Sequence, residues 1–157
     1  MVKKIGDFFA AVKGDADSFD NYRECEPSAT HNGVAYVSAS TMYNGINGLV
    51  MPDERATVHP AGILTVAGQG QGGVGFAALQ PMSFVAAATV LVLIPKAGVN
   101  FSEEQLYVIA AVIRKNRWRF GFGRPISIAR LNEIEIPDNC WDLIQMRAVA
   151  VANTSVT

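Results

Sequence analysis

The 157 residues suit one domain, and because half are apolar the chain can bury a core without disulfide or metal staples. Charged residues are 17% of the chain, which excludes a disordered polyelectrolyte, and a formal net charge of −1 does not mark a nucleic-acid binder unless basic groups cluster locally. Two cysteines, Cys25 and Cys140, cannot supply a disulfide framework or a four-ligand zinc site.

Met1 to Ile5 could begin a secretory signal, but Asp7 interrupts it before an apolar core can build. Residues 1–13 alternate basic and apolar and fit either a short strand or a helix. Residues 14–33, rich in Gly, Asp, Ser, Asn and Pro, predict a long loop. Val34 to Ser40 predicts a strand, followed by two Asn-Gly dipeptides at 44–45 and 47–48 that signal tight turns. Leu49 to Met51 predicts a return strand and 52–60 a polar loop. Gly62 to Ala67 and Val74 to Leu79 predict a hairpin whose tip is the Gly/Gln run 68–73. Phe84 to Ile94 reads as one long buried strand ending at Pro95, and is about half the length a membrane span needs. The thiols and the absence of a span predict a reducing, cytoplasmic location.

The spacing predicts one main helix over about 102–118. Ser102 and Gln105 form a capping box, Glu103 and Glu104 suit the positive end of the helix dipole, and Leu106, Ile109, Ala110 and Ile113 share one face. Gly121 and Gly123 stop it. A short second helix is expected over about 127–132, then a strand at 133–136. From Cys140 the chain reads as a tail with a frayed end. Many strands and one clear helix predict an α+β domain, single over 1–157, with a twisted, largely antiparallel or mixed sheet.

Gly68, Gly70 and Gly73 match a dinucleotide fingerprint formally, but no phosphate-binding helix follows and no acidic residue occurs from Ala56 to Asn100. A small enzyme built on this loop is therefore disfavoured. The same loop reads as a plain hairpin tip, or as a reader of adenine through Gln69 and Gln71; the sequence leaves both open. Residues 105–132 hold Arg114, Lys115, Arg117, Arg119, Arg124 and Arg130 and no acid, with Trp118, Phe120 and Phe122 interleaved. Such a block can neutralise phosphates or grip guanine, against the plainer reading of a solvated helix end. His31 and His59 stand in polar stretches without partners at metal-ligand spacing and read as surface residues. Glu133 and Glu135 read as a solvated strand face. No catalytic residue, metal site or cofactor is expected.

The order of these pieces resembles the target-recognition domain of type I restriction–modification DNA specificity subunits. The resemblance is carried by Val34–Ser40 and the Asn44-Gly45-Ile46 turn, by Gly62–Val66 with Gly68–Phe76, by Val90–Pro95, and by Phe120–Arg124 with Ile128, Leu131, Ile134, Ile136 and Pro137. It spans roughly residues 30–137. It implies a non-catalytic module that reads double-stranded DNA and hands its target to a methyltransferase subunit, sometimes with a nuclease. Ser38, Ser40, Tyr43, Asn44, Asn47, Gln69 and Gln71 would then face base edges, and the six basic residues would contact phosphate and guanine. Family members commonly carry two such domains joined by long helices. One domain without them implies a half-subunit that forms a homodimer, a fragment, or a stand-alone relative. The alternative reading is an anti-restriction or protein-interaction module that binds a methyltransferase or host subunit instead of DNA.

Overall fold

The computed structural model describes residues 2–25, 33–70, 73–120 and 125–145. The chain opens with β1 (Lys3–Lys4), a single helical turn α1 (Ile5–Phe8) and β2 (Phe9–Lys13). Strands β3 (Val34–Val37) and β4 (Ile46–Val50) form an antiparallel pair, and β5 (Leu64–Ala67) and β6 (Ala77–Leu79) form the predicted hairpin. Then come β7 (Phe84–Ala86), β8 (Val90–Pro95), α2 (Glu103–Lys115), α3 (Ile128–Asn132) and β9 (Glu135–Ile136).

The strands pair as three sheets: β2-β8-β5-β6, β4-β3-β7, and the short pair β1-β9. All neighbours are antiparallel except β3 and β7, which run parallel. The α+β architecture is as expected. Its sheet content is divided because the run from Phe84 to Ile94 is not one strand. Residues 87–89 turn a corner, with the Val90 amide donating to the Ala87 carbonyl at 3.0 Å, and the chain passes from the three-stranded sheet to the four-stranded one. Ala86-Ala87-Ala88 have side chains small enough to let the two sheets meet there.

Side-chain alternation sorts the core into layers. Leu91 and Leu93 of β8, with Leu64 and Val66 of β5, face Leu106, Ile109, Ala110 and Ile113 of α2 and also Leu131, Ile136 and Ile144. Val90 and Val92, on the other face of β8, meet Ala35, Val37, Phe84 and Ala86 of the second sheet. Val34 and Tyr36 turn away from that interface onto Tyr22 and Val50. Strands β3 and β8 are therefore buried on both faces, which is why they read as unbroken apolar runs.

Helix α2 starts as its capping box dictates. The Gln105 amide donates to Ser102 Oγ at 3.2 Å, and the Ser102 amide donates to Gln105 Oε1 at 2.6 Å. The helix ends sooner than expected, capped at Asn116, and Arg117–Phe120 tighten into a 3₁₀ turn. In α3, Ser127 Oγ accepts from the Arg130 amide at 3.1 Å. Residues 138–145 are helical, an element the sequence did not announce. The carbonyl of its buried Ile144 accepts from Gln105 Nε2 at 3.2 Å, and Trp141 stacks on Phe8 with ring centroids 5.0 Å apart. Among the described residues no helix is long and apolar enough to cross a membrane.

Candidate nucleic-acid interface

Three pieces of chain lie along the β5–β6 hairpin, with Ala39 and Arg114 toward its tip and Asn44 toward its base at Leu79 and Gln80. The first is the link between β3 and β4. Tyr43, Asn44 and Gly45 all have positive φ, at 51, 58 and 83°. Successive left-handed residues fold the chain back on itself, and the Gly45 amide closes the turn on the Met42 carbonyl at 2.8 Å. For residues other than glycine that conformation costs about 1–2 kcal/mol each, least for Asn. Ser38 anchors the base of the turn: its amide donates to the Gly45 carbonyl at 2.8 Å and its Oγ to Asn47 Oδ1 at 2.7 Å. Ser40 Oγ accepts from the Met42 amide at 3.1 Å. The outcome is a shaped tip on which Tyr43 is 80% exposed, with Asn44, Asn47 and Met42 also open to solvent.

The second piece is the glycine-rich hairpin tip. Gly70 and Gly73 lie against Ala39, and at Gly73 an added Cβ would overlap the Ala39 carbonyl oxygen. Only glycine allows this backbone-on-backbone approach. Gln69 is exposed, with its amide donating to the Thr89 carbonyl at 3.2 Å. Gln71 lies outside the described residues. The hairpin tip thus carries Gln69 beside the Ser38–Asn47 segment, which sequence spacing alone could not place.

The third piece is basic. Arg114, in the last turn of α2, reaches the hairpin: its Nε donates to the Ala77 carbonyl at 2.6 Å and its guanidinium lies 4.3 Å from the Phe76 ring centre. Arg117 approaches the same ring at 5.8 Å, with its Nε 3.4 Å from the Val74 carbonyl. Arg119 lies over Trp118 at 5.1 Å, and Arg130 over Phe120 at 4.7 Å while donating to the Arg119 carbonyl at 3.1 Å. Arg119, Phe120, Arg130 and Glu133 border a shallow cleft of about 300 Å³. The Ile126 amide donates to the Gly68 carbonyl at 2.8 Å, which ties this group to the hairpin. Among the described residues no ion pair joins Arg114, Arg119 or Arg130 to a carboxylate. Flat aromatic supports orient the guanidinium planes and leave N–H groups for a further acceptor.

The basic block does not stay together. Consecutive helix positions lie about 100° apart, so Lys115 leaves α2 on the other side, beside Tyr107, Cys140 and Leu143. Arg124 and His31 lie outside the described residues. Phe120 stands among the arginines in the sequence, but nothing there marked Phe76 as a partner of arginines 38 and 41 positions away.

His59 is not a surface residue. It is 8% exposed, stacked on Phe84 at 5.2 Å, with its backbone paired to that residue. Burial pushes its imidazole below the usual pKa, and the nearby Asp15 charge opposes this in part. Burial would raise the Asp15 carboxyl, but hydrogen bonds from Thr57, at 2.6 Å from Oγ1 and 3.0 Å from the amide, outweigh it and hold the group below the carboxylate range. Glu133 is exposed, as expected, and pairs with Lys4 at 2.6 Å.

A protein-family model described as the type I restriction modification DNA specificity domain matches residues 1–137. No curated protein matches the chain significantly. Among solved structures, the S subunit of a type I restriction–modification system from M. genitalium aligns over 95% of this chain and 38% of its own, at 15% identity and a TM-score of 0.64. The HsdS subunit from Thermoanaerobacter tengcongensis aligns over 98% and 39%, at 13% identity and a TM-score of 0.62. A chain from a type I R-M system, solved to show its complex assembly and conformational transition, aligns over 99% and 39% at 11% identity and 0.66. This chain spans about two fifths of the length of those structures and shares the fold of that part. By the match over most of its length, the chain belongs to the type I restriction modification DNA specificity domain family.

Proposed function

We propose that this domain reads double-stranded DNA through the edge where the Ser38–Asn47 segment, the hairpin tip and the arginine group meet, and that it performs no chemistry itself. The observation that carries this reading is the convergence of polar loops beside guanidinium groups stacked on aromatic rings. Arg114, Arg117, Arg119 and Arg130 face phosphates or guanine, with Arg124 between the latter two in sequence. Tyr43, Asn44, Asn47 and Gln69 face the groove, and Gln71 belongs to the same tip. Ser38 and Ser40 shape the segment as much as they contact DNA, because their hydroxyls already bond within it. Each well-formed bidentate base contact adds roughly 1–3 kcal/mol of discrimination.

In this reading the domain directs a partner methyltransferase subunit, with a nuclease subunit in a complete system, and works in the cytoplasm. A homodimer sets two such edges on one duplex, matching the paired domains of longer relatives. The test is selection of a duplex from a random-sequence pool by the purified chain, alone and with a methyltransferase subunit. Recovery of a defined, salt-sensitive site supports the reading. A chain that enriches no sequence in either setting refutes it.

A further inference from the structure

Gln80 is the polar side chain that the layered core does not explain. It is fully buried just past the end of β6. Its Nε2 donates to the Asn44 carbonyl at 2.8 Å and to Thr65 Oγ1 at 2.9 Å, while its Oε1 has no partner among the described residues. An apolar residue would serve packing better, because a half-satisfied buried amide is unfavourable. What the amide does accomplish is specific. It grips the carbonyl of the middle residue of the left-handed turn Tyr43–Gly45, from beneath. Asn44 Nδ2, 3.4 Å from the Leu79 carbonyl, adds a second tie to the same strand. The turn is strained at two non-glycine residues, and its outermost side chain, Tyr43, is an aromatic left in water. Strain of this kind persists only where the surroundings over-determine it, and such sites are often functional.

Building on the DNA-reading function, we propose that Gln80 is a positioning residue: its buried amide holds the Tyr43–Gly45 turn in shape before DNA arrives, so that Tyr43 is presented to the duplex without a further ordering step. Tyr43 packs its ring against the sugar and base edges of the groove. Ordering a free loop on binding weakens affinity, and a preformed one avoids this loss.

The test uses the whole chain, the best duplex recovered from the random pool, and a scrambled duplex of the same composition. Tyr43→Ala is expected to lower the preference for the selected duplex by about tenfold, within the range of a specific groove contact. Gln80→Leu is expected to lower it comparably while leaving binding to the scrambled duplex and its salt dependence unchanged. In the Tyr43→Ala background, Gln80→Leu should add little further loss, which a merely structural role would not produce. Where Gln80→Leu does not fold, Gln80→Met takes its place. Hydrogen exchange on the unsubstituted chain gives an independent reading: the Gly45 amide should be protected without DNA. A Gly45 amide exchanging at the open-chain rate, an unchanged preference in folded Gln80→Leu or Tyr43→Ala, or full additivity of the two would overturn the proposal while the DNA reading stands. A chain that selects no duplex removes both.

Discussion

Replacing Arg119 and Lys115 one at a time by alanine tests the division of the basic block. Both residues are exposed cations near the C-terminal end of α2, four positions apart, and a reading from charge alone treats them alike. The structure separates them: Arg119 shares the hairpin edge with Arg114, Arg117 and Arg130, whereas Lys115 stands beside Tyr107 and Leu143 on another face. If all four arginines meet phosphates, counterion release gives a slope of about −3.6 for log affinity against log salt. Raising salt from about 50 to about 200 mM then weakens binding by about 150-fold. Removing Arg119 should bring the slope to about −2.7 and the loss to about 40-fold. Lys115→Ala should leave the slope where it was. Fluorescence anisotropy with one labelled duplex across a salt series reads all three proteins. Equal loss of slope in both variants would refute the assignment of the interface to this edge.

The packing supports further predictions. Gly73→Ala should force the hairpin tip away from Ala39 and destabilise the fold by about 1–3 kcal/mol, read as a lower melting temperature together with weaker preference for the selected duplex. Ile109→Ala, at a fully buried position between α2 and the four-stranded sheet, should cost about 2–5 kcal/mol in chemical denaturation and leave the salt slope unchanged. The depressed imidazole of His59 means that the unfolded chain takes up its proton first. Its contribution is therefore fully present above the ordinary histidine pKa and is lost as pH falls through the depressed folded value. Asp15 adds a loss of the same sign below the ordinary carboxylate pKa. Melting temperature against pH should fall on acidification, and His59→Phe should flatten the limb just below neutrality; an unchanged limb would count against burial as its cause.

What the sequence disclosed follows the range of the forces involved. The capping box at Ser102 and Gln105 is readable because both partners lie within one turn and their bonds are local. Strand β8 is readable because burial on both faces leaves an unbroken apolar run. The corner at 87–89 is not, because alanines carry no directional signal and a break between two sheets looks like the continuation of one strand. Helix 138–145 is not legible because only a few of its residues are anchored, chiefly Ile144 and Trp141, and their partners Gln105 and Phe8 lie far back in the chain. His59 reads as a surface residue for a similar reason: its neighbours in sequence are polar, but its backbone pairs with Phe84.

The candidate site shows the same limit more sharply. The Asn44-Gly45 dipeptide announces left-handed residues, but not that Tyr43 joins them or that Gln80 secures them from a strand 36 residues away from Asn44. Likewise Trp118 and Phe120 stand visibly among the arginines, whereas Phe76, which supports Arg114 and Arg117, lies far back in the chain and gives no such signal. Net charge is a poor guide here for a physical reason. With a Debye length of about 8 Å at physiological salt, a phosphate responds to the guanidinium groups within reach and hardly at all to acidic residues elsewhere on the surface. The Asp15–Asp17–Asp53 carboxylates are engaged with Thr57 and Arg55 around the Tyr22 side of the fold. These acids therefore do not weaken the field at the hairpin edge, where Glu133 beside Arg119 and Arg130 is paired with Lys4, and a near-neutral chain can still present a locally cationic surface to a duplex.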